Sequence, residues 1–244
     1  MEILILVFIF IIGLCFGSFF KLVADRGMEP SQILTSRSHC DNCGKRVPWQ
    51  GLVPVLGYFL LNRRCLYCKK TIDWTYPVIE LIYGIASVLI YKISISIHHM
   101  WGGCYLFYIA FPIAVIDFRY RIIPNYITYS TFVVSLIWIY FSKEYAHFGG
   151  FFVTIVIVLF SYLFKEIRGY EGIGMGDLKY MFSVTLFLGA LGVLWMITVA
   201  SLLGILYAVY LYKNSWKPEE KITIPFGPFL AIGSLVAFFM LFAN

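Results

Sequence analysis

The chain has 244 residues, of which 61% are hydrophobic and only 13% are charged, and its formal net charge is +6. This composition excludes an ordinary soluble globular protein, in which about a quarter of the residues are charged. Lipid must therefore be the solvent for most of the chain. Because the bilayer core offers backbone groups no water, the long apolar runs predict membrane-spanning helices.

The apolar runs predict an all-α polytopic membrane protein with about eight transmembrane helices and one small polar loop domain. The first run lacks the basic leading region and the clear cleavage site of a signal peptide, so we expect a retained anchor. The sixth run is the shortest. The predicted spans are residues 3–22, 75–92, 101–117, 125–142, 147–167, 177–190, 191–212 and 225–243.

Positive charges set the predicted orientation. If the spans alternate from an external N-terminus, 17 of the 19 lysines and arginines fall on the cytoplasmic side, and only Lys92 and Lys143 lie outside. Basic residues near short loops are retained in the cytoplasm, so this asymmetry supports both the orientation and the number of helices.

The polar segment 23–74 contains two Cys-x-x-Cys pairs separated by 21 residues. Their members are Cys40, Cys43, Cys65 and Cys68. This spacing is typical of a zinc site with four thiolate ligands, and two disulfides are the rival interpretation. The predicted cytoplasmic position is reducing and favours zinc, which would be structural because four sulfurs fill its coordination. His39 could replace a sulfur, although a plain polar neighbour of Cys40 is the simpler interpretation.

Three carboxylates lie in or against the predicted spans among apolar neighbours: Glu80, Asp117 and Asp177. A charge at the centre of a membrane helix costs at least about 2.5–3.5 kcal/mol, so such residues indicate function or internal pairing. Asp117 closes the third predicted helix and Asp177 opens the sixth, both at predicted cytoplasmic ends. Two carboxylates that meet around one water share a proton and provide one general base and one general acid, as in aspartic proteolysis.

Structural roles remain open for these aspartates. Asp177 follows Gly174 and Gly176 and precedes an apolar run, a common pattern for a helix N-cap. Asp117 could pair with one of the arginines that follow it. The glycines, in turn, would permit the close approach of an extended substrate strand.

Glu80 and Lys179 could support the site. Glu80 lies about one turn inside its helix, where a polar clamp is favoured over direct catalysis because two aspartates already satisfy the mechanism. Lys179 could neutralise the aspartates or touch a substrate, although its position near a cytoplasmic helix end also follows from orientation alone. One rival function, a membrane transporter or ion pathway, would distribute ionisable groups across the bilayer, whereas these collect at one edge. A second rival function is a membrane-anchored zinc adaptor. A single membrane anchor would suffice for that role, so eight predicted spans argue against it.

Several motifs occur in one order along almost the whole chain. They are Gly17-Ser18-Phe19, Arg37-Ser38-His39 with the two cysteine pairs, Tyr76-Pro77-Val78-Ile79-Glu80, Ile116-Asp117 with Ile123-Pro124, Gly174-Met175-Gly176-Asp177-Leu178-Lys179 and Pro225-Phe226-Gly227-Pro228-Phe229. With this set the sequence resembles the type IV prepilin peptidases, a family of polytopic GxGD aspartyl proteases. The resemblance implies a first transmembrane helix at 1–22, a zinc domain at 23–74 and a protease domain at 75–244.

The resemblance further implies that Asp117 and Asp177 are the catalytic pair. The family often has an aspartate at the position of Asn125, and an amide cannot serve as a general base. The implied substrate is the basic leader of a type IV prepilin or pseudopilin, cut at the cytoplasmic face of the bacterial inner membrane. We expect the lipid bilayer as the other partner and no nucleic acid.

The resemblance also implies methylation of the new N-terminus with S-adenosylmethionine, an activity that no physical feature of the sequence demonstrates. One departure bears on it, because Lys21 stands where the family usually has an asparagine. This change could alter a cofactor pocket, or Lys21 could extend to the membrane interface.

Overall fold

The computed structural model describes residues 1–27, 37–170, 172–215 and 224–242. Parts of the predicted 23–74 loop, Glu171, Lys217, Lys221 and the end of the last predicted span lie outside the described residues. The helices are α1 Glu2–Arg26, α2 Leu56–Leu60, α3 Thr75–Ile93, α4 Ile97–Tyr120, α5 Asn125–Ser142, α6 Gly149–Arg168, α7 Met175–Ser215 and α8 Gly227–Phe242, with 3₁₀ turns at Trp49–Leu52 and Tyr145–Phe148. The prediction of an all-α protein is confirmed, since β structure in the described ranges is limited to two isolated bridges.

Five helical segments of the described chain are long and apolar enough to cross a membrane by length and composition. They are Glu2–Arg26, Thr75–Ile93, Ile97–Tyr120, Tyr145–Arg168 and Met175–Asn214. A shorter apolar helix covers Gly227–Leu241. These segments confirm a multi-pass membrane protein.

The longest segment, α7, contains the break that separates the sixth and seventh predicted spans. Gly189 has φ 64° and ψ −174°, a backbone conformation essentially restricted to glycine, so the helix divides into two arms there. The His147 side chain covers the break, because its Nδ1 lies 2.9 Å from the carbonyl oxygen of Leu186. That carbonyl is one of those left without an ordinary helical partner when α7 is interrupted.

The first of two compact units is Met1–Ile93, in which α1 packs along α3. Glycines on both helices bring the backbones together. A Cβ at Gly17 would lie 2.8 Å from the Glu80 Cα, and one at Gly84 would lie 2.7 Å from the Phe10 ring. Small residues at the interface are the usual means by which membrane helices approach closely.

The second compact unit is Ser94–Asn244. Here α8 packs against α4 and α7, while α5 and α6 pack against α7. The core between them is mainly apolar, and its largest fully buried side chains include Leu106, Ile113, Ile116, Tyr180, Phe187, Met196 and Phe238. Polar pairs also lie within it, among them the Tyr180 and Ser234 hydroxyls at 2.9 Å and the Thr154 and Thr185 hydroxyls at 3.1 Å. This packing fixes the helix ends that carry the two aspartates.

Candidate active site and metal centre

The four cysteines of the polar loop converge in the first unit. Their sulfur atoms all lie within 4.8 Å of one another, and all are free thiols. The Cys40 and Cys68 sulfurs are 3.8 Å apart, and those of Cys43 and Cys65 are 3.9 Å apart. Four sulfurs at about 2.3 Å from a central zinc would be about 3.8 Å from each other. The cluster could therefore hold a tetrahedral metal ion.

The two cysteine pairs fold as near copies of one another. In the first, the Cys40 N–H donates to the Lys45 carbonyl, and in the second the Cys65 N–H donates to the Lys70 carbonyl, both at 2.9 Å. Each copy closes with an isolated antiparallel bridge. Each also has a left-handed residue after its second cysteine, Gly44 at φ 67° and Lys69 at φ 59°. The spacing predicted the cluster, but this duplication was missed, although Cys-x-x-Cys-x-Lys occurs in both copies.

Backbone N–H groups favour the thiolate form of part of the cluster. The Lys70 N–H directed at Cys68 is the main cause that lowers the pKa of that thiol to about 6. The Cys68 N–H likewise lowers the pKa of Cys65. Desolvation and the neighbouring sulfurs outweigh the Lys45 N–H at Cys43 and raise its pKa to about 11. Four thiolates this close together need a cation, because otherwise they repel one another.

Asp117 lies in the last turn of α4 and is only 5% exposed. The backbone N–H of Gly227, at the start of α8, donates to the Asp117 Oδ2 at 2.9 Å. A Cβ at position 227 would lie 2.9 Å from this same oxygen, so glycine is required for the contact. Arg121 is near enough to act electrostatically on Asp117, and its own N–H donates to the Asp117 carbonyl.

Asp177 is the third residue of α7, not the residue that precedes the helix. Its carboxylate accepts a hydrogen bond from the backbone N–H of Gly174. A side chain at the third helical position that reaches back to the residue before the helix forms half of a capping box. A Cβ at Gly174 would lie 3.0 Å from the Asp177 Oδ2. Asp177 thus has a helix-end contact, and glycine leaves room beside its carboxylate.

The two aspartates lie near each other in the second unit. Asp117 is near enough to Asp177 for their carboxylates to repel each other electrostatically. The first turn of α7 packs on the turn after α4, because a Cβ at Gly176 would lie 3.4 Å from the Ile123 backbone nitrogen. The helix ends predicted to carry the carboxylates are therefore brought together, with a glycine against an oxygen of each.

Lys179 contacts the first residue of α5 instead of an aspartate. Its Nζ donates to the Asn125 Oδ1 at 3.0 Å. This contact occupies the position where related enzymes often have a carboxylate. The Gly227 N–H was missed as a site group by sequence reasoning, since only the Pro-Phe-Gly-Pro motif pointed to this turn. A backbone donor leaves no side-chain signature.

Glu80, in the first unit, is buried with 5% exposure and clamps a loop. Its Oε2 accepts the Val55 N–H at 2.6 Å, and the Ser18 side chain also hydrogen bonds to its carboxylate. Lys21 nearby is buried as well. It pairs with Asp25 at 2.5 Å and lies over the Tyr76 ring, so it does not extend to the interface.

Two family models match the chain. Residues 11–93 match the bacterial peptidase A24 N-terminal domain, and residues 104–209 match the type IV leader peptidase family. The first contains the cysteine cluster and the second contains both aspartates.

Curated relatives match over most of the chain. A prepilin leader peptidase/N-methyltransferase of Vibrio cholerae serotype O1 is 26% identical over 98% of both chains. Proteins of the same name are 30% identical in Burkholderia pseudomallei, over 83% of this chain and 67% of the relative, and 27% identical in Pseudomonas aeruginosa, over 93% and 87%. No solved structure matches.

Proposed function

Since the chain belongs to the type IV leader peptidase family, we propose that Asp117 and Asp177 cleave the leader peptide of a type IV prepilin or pseudopilin. The observation that carries this assignment is that two carboxylates from different helix ends lie near enough to act on each other electrostatically, each with a glycine beside one of its oxygens. Neither structural role demands such a pair. A cap or an ion pair needs one carboxylate, whereas the aspartic mechanism of peptide hydrolysis uses two.

The chemistry follows from the proximity of the carboxylates. One aspartate, ionised, takes a proton from a water that attacks the scissile carbonyl, while the protonated partner donates to the carbonyl oxygen. The two then exchange roles as the leaving amine is protonated. The Gly227 N–H bond holds the Asp117 carboxylate in one orientation, and the Gly174 N–H does the same for Asp177.

We infer that this site lies at the cytoplasmic face of the bacterial inner membrane. The support is the distribution of lysines and arginines, which places the ends of α4 and α6 and the start of α7 on the cytoplasmic side. A substrate helix in the bilayer would present its basic leader at this face. Impermeant labelling of single cysteines in intact cells should modify position 143 but not position 45. The opposite pattern would overturn the orientation.

For the cysteine cluster we propose a structural zinc ion. Cys40, Cys43, Cys65 and Cys68 fit the metal because their sulfurs already lie at tetrahedral spacing. With four sulfur ligands, zinc has no open position for water. Its contribution would be to hold together a loop that contains little regular structure.

N-methylation is a second candidate activity, supported by a cleft of about 610 Å³ in the first unit. Glu80, Tyr76 and Asp73 line it together with residues of the cysteine loop. A cleft of this size, with a mostly apolar lining and a few polar side chains, suits a small cofactor such as S-adenosylmethionine. Lys21 has replaced the family's usual asparagine but is neutralised by Asp25. Glu80→Gln should then reduce methylation of a pre-cleaved pilin without preventing leader cleavage by the second unit.

The decisive experiment compares Asp117→Asn and Asp177→Asn with Glu166→Gln, which removes an exposed carboxylate of α6. Purified variants in liposomes are incubated with a prepilin, and mass spectrometry reports both cleavage and methylation. Asparagine can still accept the Gly227 or Gly174 N–H but cannot exchange a proton, so each single variant should lose cleavage. The double variant should be scarcely worse, because the pair acts as a unit.

Cleavage by either single variant, at expression and metal content equal to Glu166→Gln, would show that the catalytic residues are wrongly assigned. If the aspartates only stabilise helix ends, asparagine should retain activity, since it caps helices well. Methyl transfer to a pre-cleaved pilin should survive both substitutions. That result would show that the loss of cleavage is not a loss of fold.

A further inference from the structure

The cysteine loop carries an apolar surface that nothing in its own unit covers. It consists of Trp49, Leu52, Leu56, Phe59 and Leu60, and we call it the α2 patch. Each of these side chains is more than half exposed, up to 74% for Trp49. Apolar surface of this kind on a protein marks a contact with a membrane or a partner.

Three residues of the patch form one face of a short helix, and the other two lie in the preceding 3₁₀ turn. Leu56, Phe59 and Leu60 are related by i, i+3 and i+4 in α2 and so lie on the same side. The other side packs inward, because a Cβ at Gly57 would lie 2.6 Å from the Gly51 carbonyl oxygen and Leu61 is buried. The exposed face is therefore set by packing and is not a consequence of a loose loop.

Glu80 fixes the depth of this helix relative to the membrane. Val55, which immediately precedes α2, donates its N–H to the Glu80 carboxylate at 2.6 Å. Glu80 is the sixth residue of the spanning helix α3, and five residues correspond to about 8 Å along the axis. The exposed Trp74 and half-buried Tyr76 mark the start of that helix, as interfacial aromatic residues do. The α2 patch thus lies at the level of the interface or slightly inside it.

The strained backbone at Val55 indicates that the position of α2 is specified by the fold. Val55 has φ 62° and ψ −56°, a conformation that is strained for a β-branched residue. A tight turn accompanies it, in which the Leu56 N–H donates to the Pro54 carbonyl at 2.6 Å. The buried Glu80 carboxylate holds the strained residue in place. The turn directs the chain into α2 at this depth.

The charge around the patch selects the kind of membrane. Between residues 37 and 73 there are seven basic and two acidic residues, so the loop remains positive even if four thiolates bind one zinc ion. Arg63 and Arg64 lie three and four residues after the end of α2 and are exposed, and Arg63 lies over the Phe59 ring at 5.8 Å. Arginine beside an apolar face is the pattern of segments that bind anionic lipid surfaces.

We propose that the α2 patch is immersed in the headgroup region of an anionic bilayer, with Arg63 and Arg64 on lipid phosphates. The loop is joined at both ends to spanning helices, α1 and α3, so a membrane surface is always within reach. Its apolar face is held at the matching depth by Glu80. Charge, depth and tethering together favour lipid over a protein partner.

Photocrosslinking in the full-length chain tests the proposal. p-Benzoylphenylalanine replaces Phe59 or, in a second variant, Leu60, and the protein is irradiated in vesicles of equal parts phosphatidylglycerol and phosphatidylcholine. Tyr67 is the matched control, since it is as exposed as Phe59, at 53%, but lies within the second cysteine pair. Variants are compared at equal metal content, which reports an intact loop.

Positions 59 and 60 should give lipid adducts, and position 67 should give few. Phosphatidylglycerol should exceed phosphatidylcholine in the adducts by about fivefold, the preference that one arginine at an anionic surface provides. Arg63→Gln with Arg64→Gln should abolish this preference. Adducts of positions 59 and 60 with peptide from this chain or a second copy would overturn the proposal. Absence of adducts there, or equal lipid adducts at position 67, would do the same.

Discussion

Gly227→Ala should damage cleavage through a single added methyl group. The new Cβ would lie 2.9 Å from Oδ2, 3.1 Å from Cγ and 3.2 Å from Cβ of Asp117, whereas ordinary contacts begin at 3.4 Å. The Asp117 carboxylate must therefore retreat by about half an ångström, and overpacking of this kind costs about 1–3 kcal/mol. Retreat also stretches the 2.9 Å bond from the Gly227 N–H.

If about 1.4–2.8 kcal/mol of this cost falls on the transition state, kcat/KM for prepilin cleavage should drop about 10- to 100-fold. Gly204→Ala is the control, because its nearest neighbour would lie 3.5 Å from the added Cβ and alanine favours the helix. The assay is cleavage of purified prepilin in liposomes at matched thermal stability. Wild-type kcat/KM in Gly227→Ala would refute the assignment of Asp117 to the reacting pair.

Two other predictions concern the scaffold. Cys40→Ser and Cys65→Ser should each lose zinc in elemental analysis and expose the 37–73 loop to limited proteolysis. The control Cys15→Ser should do neither. Full zinc occupancy in Cys40→Ser and Cys65→Ser would exclude the cysteine cluster as the zinc site. Gly189→Ala should lower the free energy of unfolding by about 1–3 kcal/mol, because φ 64° with ψ −174° excludes a Cβ. The control Gly149→Ala should be tolerated, because the nearest neighbour of the added Cβ would lie at 3.9 Å. Equal melting temperatures for the two variants would contradict a glycine-dependent break in α7.

Sequence patterns predicted most of the helices because the bilayer imposes length and apolarity on each span. They also predicted the four-cysteine cluster, since ligand spacing is local. The long-range contacts that define the sites could not be predicted from sequence patterns. Gly227 donates to a residue 110 positions away, and Val55 reaches Glu80 through a strained backbone turn. Neither has a side-chain signal, because the donor in both cases is a main-chain N–H.

Variants at position 125 test which carboxylate acts together with Asp177. Related enzymes often have an aspartate there, whereas Asn125 is exposed at the start of α5 and accepts from Lys179 at 3.0 Å. Asn125→Asp should form an exposed ion pair with Lys179, worth about 0.2–1 kcal/mol, and leave cleavage close to wild type. Its carboxylate would be held by a cation outside the buried environment of Asp117.

The informative variant combines Asn125→Asp with Asp117→Asn. Asp117 is oriented by the Gly227 N–H and is near enough to Asp177 to act on it, whereas the side chain at 125 is bound to Lys179. The added carboxylate should therefore not restore prepilin cleavage to the Asp117→Asn protein. Lys179→Gln, added to this double variant, removes the ion pair with position 125. It is the control that shows whether the ion pair holds the new carboxylate away from the reacting water. Recovery of cleavage in the double variant would mean that position 125 reaches the reacting water, and that burial beside Gly227 does not define the catalytic aspartate.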